Sequence, residues 1–319
     1  MIRYSIDEIE LNPKSVVTVG TFDGIHVAHQ RILDTLVEKT KAIGGRSVVI
    51  TFKPHPQEIL GKRPVELLMT EEERVSMIEE TGIDEILLLH FDRDFSQVTA
   101  EEFLVKLVYE KVGLQELVLG YNHTFGHKAQ GTVEFAREVG KKMRFGVDFV
   151  DKVLIDGNIV SSSNIRKHLK EGDTSLANKM LGHPYSFEGF VIRGNGRGRL
   201  LGYPTANLKL VDERLLVPSF GVYIVEVSAG EERLVGLASI GVRPTFEDSG
   251  VPIIEVWISD FDRDIYGKRI RVSLIRRLRG ELKFESSDQL IVQMDEDKKT
   301  MNEYLVKTQD AVSKLNKKK

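Results

Sequence analysis

The 319-residue sequence contains no cysteine, which excludes disulfide bonds, thiolate nucleophiles and cysteine-ligated zinc. It also lacks an excess of one charge: 45 basic and 48 acidic residues give a formal net charge of −3, so no overall charge attracts nucleic acid or an anionic membrane. No apolar run approaches the roughly 20 residues of a membrane span, and residues 1–15 lack the apolar segment of a signal peptide. We therefore expect a cytoplasmic protein that binds neither nucleic acid nor membrane.

The first half of the sequence alternates between strand and helix patterns. Two capping boxes, Thr70 with Glu73 and Thr99 with Glu102, predict helix starts. Runs of β-branched and aliphatic residues predict strands at 16–19, 46–52, 85–90, 116–120 and 147–153. This alternation predicts an α/β domain with a parallel, doubly wound sheet, whose ligands bind beyond the carboxyl ends of the strands.

The pattern changes near residues 182–184. From there, strands follow one another directly, and a long helix begins only at Ser286 and is expected to end near Lys307. The five predicted strands are 186–192, 221–227, 233–241, 253–258 and 269–275. Consecutive strands with one late helix predict a small antiparallel β-barrel with a terminal helix. We expect domains at 1–183 and 184–310, and a solvated basic tail at 311–319.

Residues 16–33, VVTVGTFDGIHVAHQRIL, combine a buried strand, a glycine turn and a helix start that carries His26 and His29. Three interpretations are open. Zinc needs a third ligand, and no Cys, His or carboxylate lies at a motif spacing. The histidines are otherwise surface residues near a turn, or they stabilise charge on a polyphosphate at the helix N-terminus.

Five segments resemble, in order, the HxGH nucleotidyltransferase superfamily in the form found in prokaryotic FAD synthetases. They are GTFDGIHVAHQ (20–30), TFKPHPQEIL (51–60), HFDRDFSQVTAEEFL (90–104), LVLGYNHTFGHKAQG (117–131) and VSSSNIR (160–166). The resemblance implies a Rossmann-like sheet and a reaction in which an FMN phosphate oxygen attacks the α-phosphorus of ATP and pyrophosphate leaves. Since that nucleophile is already ionised, catalysis should come from alignment and charge neutralisation.

The resemblance also implies roles for individual residues. His26 and His29 hold the ATP phosphates, and Arg166 clamps the departing pyrophosphate, which suits guanidinium geometry. Further ATP contacts are implied for Gly20, Thr21, Phe22, Asp23, Gly24, Ser161, Ser162 and Ser163.

The resemblance also implies that Asn122 and His55 bind the flavin. A turn residue is the alternative for Asn122, and a rigid position between two prolines is the alternative for His55. The chain departs from the usual family pattern in three places. Ala28 replaces glycine, Asn122-His123 replaces Asp-Phe, and Ser163 replaces threonine.

In the second half, GNGRGRLLGYPTANL (194–208) is the most informative stretch. A Gly/Arg-rich loop alone is compatible with an RNA-binding segment, a mobile lid or a phosphate cradle, although no interleaved aromatic residues support RNA. GYPTAN (202–207) resembles the signature of riboflavin kinases, and the resemblance continues through 220–227, 236–246 and 253–284. It implies phosphorylation of riboflavin to FMN by ATP.

Thr205 and Asn207 alternate with Ala206, so on extended backbone they face the same way. A hydroxyl and an amide oxygen there are suited to Mg²⁺, the alternative being local backbone capping. Glu255 lies between apolar neighbours and reads either as a solvated strand residue or, by resemblance, as the general base for the ribityl hydroxyl.

The other barrel-domain candidates fall into two groups. In the first group, the backbone amides of Gly194, Gly196 and Gly198 should close over a phosphate, and Arg197 should lie nearby. Arg279 and the last helix should form a flavin-side wall, and Trp257 either stacks on the flavin or belongs to the core.

Together these features predict a bifunctional enzyme that uses riboflavin, FMN and ATP as substrates with Mg²⁺ as cofactor, and yields FMN and FAD. Two alternatives stay open: a riboflavin kinase with a degenerate adenylyltransferase domain, and a non-enzymatic flavin-binding protein. The sequence leaves the oligomeric state undetermined.

Overall fold

The computed structural model describes residues 1–61, 64–121, 123–194, 198, 201–242 and 252–316, with backbone alone for 308–316. Three candidate site residues, Asn122, Gly196 and Arg197, lie outside the described residues. The chain forms two compact units, Met1–Ile165 with Met180–Gly182, and Arg166–Lys179 with His183–Lys319. The domain boundary at residue 183 stays a prediction.

The first unit contains a six-stranded sheet in which every neighbouring pair is parallel, in the order β1-β4-β3-β2-β5-β6. Its strands are β1 Ile2–Arg3, β2 Ser15–Val19, β3 Arg46–Lys53, β4 Glu85–His90, β5 Leu114–Gly120 and β6 Gly146–Val150. The predicted parallel α/β sheet is therefore confirmed. β6 ends at Val150, where its ladder with β5 stops, and not at Val153 as predicted.

Helices lie between these strands. They are α1 Val27–Ile43, α2 Pro56–Leu60, α3 Glu71–Glu80, α4 Glu102–Val112 and α5 Val133–Met143. A short hairpin follows, made of β7 Leu154–Ile155 and β8 Asn158–Ile159, and then come α6 Ser162–Glu171 and α7 Thr174–Leu181. Both predicted capping boxes are present; α4 has π-type hydrogen bonding.

Alternation along β2 explains why both faces of the sheet are covered. Val17 packs into a cluster with Phe103 of α4 and Ala136 of α5, whereas Val16 packs into another with Leu33 of α1. Successive side chains of a strand point to opposite faces, and the two valines are both fully buried. The sheet is thus the middle of three layers, and its turns converge at the carboxyl ends of the strands.

The second unit contains a closed six-stranded barrel in the order β10-β13-β12-β11-β14-β9, every pair antiparallel. Its strands are β9 Tyr185–Ile192, β10 Thr205–Leu210, β11 Gly221–Ala229, β12 Glu232–Gly241, β13 Ile253–Ile258 and β14 Arg269–Arg279. The predicted barrel is confirmed, and it has one strand, β10, that the sequence patterns did not predict.

The terminal helix α8, Ser287–Asn316, runs beyond its predicted end near Lys307. It packs on the barrel because Met301, fully buried, joins a hydrophobic cluster with Tyr203 and Trp257. Among the described residues, no helix has both the length and the apolar character that crossing a membrane requires.

Candidate functional sites

The loop after β2 adopts backbone conformations that few residues tolerate. Phe22 and Ile25 have φ of 51° and 35°, and Gly24 has φ of 90°. A Cβ on Gly24 would lie 2.8 Å from the Leu68 side chain, so both the φ and the space require glycine. The buried Asp23 carboxylate accepts the Leu68 backbone N–H at 3.0 and 3.2 Å. These contacts fix the loop in one shape.

Arg74 of α3 braces the same loop. Its buried guanidinium donates to the carbonyl oxygens of Thr21 and Phe52, both at 2.9 Å. Burial lowers the pKa of Arg74, and the Asp23 carboxylate opposes that shift. Nearby, the Gly20 N–H donates to Ile50 at 3.0 Å. Sequence reasoning missed Arg74 because a basic residue in a helical first turn carries no signal of a long-range contact.

His26 and His29 meet at the start of α1. His26 is the N-cap residue: its Nδ1 accepts the His29 backbone N–H at 3.2 Å. The two rings stack with centroids 3.6 Å apart, and the Phe22 ring lies 5.1 Å from that of His29. Ala28 lies within α1 with ordinary helical backbone, so its methyl group causes no backbone strain.

The histidines lie in a poorly hydrated environment. Burial lowers the pKa of His29 well below 6.5, and His26 and His123 lower it further. Its Nδ1 is buried and has no hydrogen-bond partner among the described residues. The ring is therefore neutral at pH 7 in the ligand-free protein. No group of three or more His, Cys, Asp or Glu side chains in the described part of the chain is arranged to hold a metal, so the zinc interpretation gains no support.

The predicted serine segment reaches this loop. Ser162 Oγ donates to the Asp23 carbonyl at 2.9 Å, and Ser161 Oγ accepts the Asn164 N–H at 3.3 Å to cap α6. Ser163 is exposed in the first turn of α6. Arg166 belongs to the second compact unit, so its approach to the histidines stays a prediction.

His55 caps α2. Its Nδ1 accepts the Gln57 N–H at 3.2 Å, and its own N–H donates to Glu58 at 2.9 Å, which completes a capping box. The imidazole is buried. The structure thus gives His55 a turn-stabilising position, and its contact with flavin stays a prediction.

Register in the barrel brings the second group of candidates together. Asn207 on β10 is paired with Glu255 on β13, and Thr205 lies two residues before Asn207. The Thr205 hydroxyl donates to Glu255 Oε2 at 3.4 Å, and Asn207 is buried. A carboxylate, a hydroxyl and an amide therefore share one patch of the barrel.

Two glycines of the preceding loop lie directly against this patch. A Cβ on Gly194 would overlap the Asn207 amide, and a Cβ on Gly198 would lie 3.1 Å from the Thr205 hydroxyl. Only a residue without a side chain allows such close approach of the backbone. At these two glycines the backbone therefore packs closely against Thr205 and Asn207.

Trp257 and Arg279 both face the terminal helix. Trp257 is 8% exposed and packs edge-on against Tyr203 at 5.7 Å, with Lys298 Nζ 5.3 Å from its ring centroid. Burial and a hydrogen bond to Asp295 raise the pKa of Tyr203 to about 12. These contacts place Trp257 in the core, and its stacking on flavin stays a prediction.

Arg279 forms a fork-like ion pair with Asp297 of α8. Its Nε lies 3.0 Å from both carboxylate oxygens, and its Nη2 lies 2.8 Å from Oδ2. The pair fastens α8 to β14. Sequence reasoning missed Asp297, because an acidic residue in a charged helix gives no sign of being buried.

Comparison with known proteins matches each half of the chain to a different family model. The family model described as FAD synthetase matches residues 8–164, and the one described as riboflavin kinase matches residues 181–305. A solved structure from Streptococcus pneumoniae, described as a macrolide-efflux protein, has a TM-score of 0.84 and 32% identity, and the match covers 95% of this chain and 98% of that one.

Two curated relatives match over nearly their whole length. Bifunctional riboflavin kinase/FMN adenylyltransferase from Listeria monocytogenes is 33% identical over 92% of this chain and 94% of its own. The protein of the same name from Bacillus subtilis is 34% identical, with the same coverage. With these matches, and with a separate polar site in each half, the chain belongs to the family of bifunctional riboflavin kinases/FMN adenylyltransferases.

Proposed function

We propose that this chain carries out two successive reactions. In the barrel, riboflavin and ATP yield FMN and ADP; in the α/β unit, FMN and ATP yield FAD and pyrophosphate. The observation that carries the proposal is that each half matches a different family and contains its own polar cluster. We assign the adenylyltransferase to residues 1–183 and the kinase to residues 184–310.

In the kinase reaction, Glu255 acts as general base. The primary alcohol of riboflavin forms a bond to the γ-phosphorus while the bond to ADP breaks, and the alcohol proton passes to the Glu255 carboxylate. The hydrogen bond from Thr205 holds that carboxylate in one orientation. Fixing the base toward the alcohol reduces the entropy cost of reaching the transition state.

The residues beside Glu255 fit a magnesium ion. Because the Thr205 hydroxyl donates a hydrogen bond to Glu255, the lone pairs of its oxygen remain available to bind a metal ion. Asn207 offers an amide oxygen for the same purpose. Mg²⁺ prefers such hard oxygen ligands and keeps several waters and phosphate oxygens. The ion, when bound by Thr205 and Asn207, would neutralise charge on the ATP phosphates. The close approach of Gly194 and Gly198 supports a cradle for those phosphates, to which we also assign Gly196 and Arg197.

The adenylyl transfer moves no proton. An FMN phosphate oxygen bonds to the α-phosphorus of ATP, and the bond to pyrophosphate breaks. His26 and His29 donate hydrogen bonds to the phosphates, and in a poorly hydrated site such donors act strongly. We assign Arg166 to the departing pyrophosphate.

Backbone and serine groups complete the triphosphate site. The fixed loop Gly20, Thr21, Phe22, Asp23 and Gly24 presents backbone groups to the nucleotide, and Ser161, Ser162 and Ser163 lie at the start of α6, which is hydrogen-bonded to that loop. For the flavin we assign Asn122 and His55 to the α/β unit. In the barrel, we assign the flavin-side wall to Arg279 and α8, which their ion pair holds together, and we assign Trp257 to stacking on the flavin.

Separation of flavins by HPLC tests this proposal. The purified chain is incubated with riboflavin, ATP and Mg²⁺, and in a second reaction with FMN in place of riboflavin. We expect FMN and FAD in the first reaction and FAD in the second. FMN alone in the first and no FAD in the second would overturn the adenylyltransferase assignment, and unchanged riboflavin would overturn the kinase assignment.

A further inference from the structure

A third imidazole, that of His123, lies within electrostatic range of His29. β5 is the neighbour of β2 in the sheet, and His123 follows β5 just as His26 follows β2. The His123 N–H donates to the Gly120 carbonyl at 3.2 Å, which turns the chain back at the end of the strand. His123 and His29 are close enough to interact electrostatically.

Aromatic packing fixes the His123 ring. It stacks on Phe125 with centroids 6.2 Å apart. Phe125 is itself held by two backbone hydrogen bonds with Gly131, at 3.1 and 2.8 Å, and its ring packs against Phe103 at 5.7 Å. The ring is therefore part of a rigid assembly.

His29 and His123 each carry a buried ring nitrogen without a hydrogen-bond partner among the described residues. Within the described residues, His123 Nε2 and His29 Nδ1 are buried and accept or donate no hydrogen bond. Leaving such a group unsatisfied costs about 1–3 kcal/mol, so native structures rarely retain one without a reason. Two unsatisfied ring nitrogens in one cluster point to polar atoms that arrive with a ligand.

We propose that His123 contacts a substrate phosphate during adenylyl transfer, so that this enzyme binds phosphate with three imidazoles and not two. The proposal rests on the function proposed above. The family pattern that the sequence resembles has phenylalanine where this chain has His123, and phenylalanine offers no hydrogen bond. The phosphate belongs either to ATP or to FMN.

Binding of phosphate should favour protonation of the His123 ring. In the ligand-free protein, burial lowers the pKa of His123 to about 4, so the ring is neutral at pH 7. The tautomer with its proton on Nε2 can donate a hydrogen bond to phosphate. A bound phosphate favours the protonated ring and raises that pKa. Beside His123, the titratable groups of this cluster are His29 of α1 and His26, the N-cap residue of α1. His29 is neutral at pH 7 in the ligand-free protein, so it adds no positive charge that would oppose the rise.

Two variants and a control test the contact. We expect His123→Phe and His123→Asn to lower kcat/KM for FAD formation about 10- to 100-fold, as loss of a hydrogen bond to a charged group does. Riboflavin kinase activity of the same samples should stay unchanged, which shows that the chain is folded. The control is Glu38→Gln, since Glu38 is exposed in α1 far from the helix start and should change neither activity.

NMR titration of the wild-type protein provides a readout besides activity. The His123 ring resonance is assigned by its absence from the spectrum of His123→Asn, and its pKa is followed with no ligand, with pyrophosphate and with FMN. A rise with pyrophosphate places the ATP phosphates at His123, and a rise with FMN alone places the FMN phosphate there. An unchanged pKa with both ligands, together with wild-type kinetics of His123→Phe, would overturn the proposal.

The two proposals fail in different ways. If the wild-type protein forms no FAD, the adenylyltransferase assignment fails, while the NMR titration still decides whether His123 meets phosphate. If a variant loses kinase activity as well, it has lost structure, and the wild-type titration decides alone.

Discussion

The α/β unit and the barrel present different side chains to their proposed ATP sites. The first offers stacked imidazoles in a buried setting, and the acidic residue of its loop, Asp23, is bound to a backbone amide. The second offers a carboxylate, Glu255, in contact with a hydroxyl. The difference matches the nucleophiles: an FMN phosphate is already ionised, whereas an alcohol must lose a proton. With the roles proposed above, each site has the groups that its own reaction needs.

The two units also fix their side chains by different means. The loop after β2 uses positive φ angles at Phe22 and Ile25, held by the Arg74 brace. The barrel uses strand register, which pairs Asn207 with Glu255. Strain in a loop is retained only where the surrounding contacts determine it. The α/β site should therefore depend on distant supports more than the barrel site does.

The largest effect is expected from removing the proposed base. Glu255→Gln keeps the shape of the side chain but cannot take the alcohol proton, so FMN formation should fall about 10²- to 10⁴-fold. Conversion of FMN to FAD should continue at the wild-type rate. HPLC of both reactions measures this, with the half-buried Glu226→Gln as a control. Equal loss of both reactions in a folded protein would mean that the two sites are not separate.

The reverse pattern is expected for His29→Ala. The N-cap is kept because His26 accepts the backbone N–H of residue 29, so α1 should still form. Loss of one aligned donor should lower FAD formation about 10²- to 10³-fold and leave FMN formation unchanged. The same assays apply, with Glu38→Ala, an exposed position of α1 far from the helix start, as the control. Retention of full FAD synthesis would remove His29 from the phosphate site.

Local sequence signals predicted the elements that depend on local physics. β-branched runs gave the strands of both units, and the capping box at Thr70 gave the start of α3. β1 has two residues and exists only by pairing with β4, so no pattern marks it. β10 was not predicted as a strand, because its strand conformation depends on pairing with β9 and β13 and not on a local pattern.

The candidate sites divide in the same way. His26 and Thr205 were chosen as candidates from contiguous motifs and Glu255 from the family resemblance, and their roles stay predictions. Arg74 and Asp297 were missed because they act across many residues of sequence, and burial, not residue type, gives them their roles. His123 was visible only as a departure from the family pattern, and its approach to His29 follows from the order of β2 and β5 in the sheet.

A smaller effect is expected at the support of the barrel. Asp297→Asn leaves the mostly buried Arg279 without its counter-charge and should destabilise the barrel by about 3 kcal/mol. Trp257 is the single tryptophan of the chain, so its fluorescence reports unfolding of the barrel alone. We expect the fluorescence transition and the loss of kinase activity to move to lower temperature, while loss of adenylyl transfer does not move. The exposed neighbour Glu296→Gln should shift neither, and an unshifted Asp297→Asn would show that the pair adds nothing.

The smallest expected effect is a loss of stability of the α/β unit at acidic pH. The pKa of His123 is about 4 in the folded chain against 6.5 ordinarily, so between these values the unfolded chain binds a proton that the folded chain does not. The free energy of unfolding is therefore fully retained above pH 6.5 and falls as the pH drops, by about 2 kcal/mol at pH 5 from this residue. His29 acts in the same direction.

His123→Phe removes the contribution of His123. Urea unfolding followed by circular dichroism should therefore show a smaller loss of unfolding free energy between pH 7 and pH 5 than in wild type. Trp257 fluorescence, which reports the barrel, should show the same pH dependence in both proteins. An equal loss in the dichroism of both would mean that His123 is hydrated, and the contrast between a dry imidazole site and an oxygen-lined one would no longer hold.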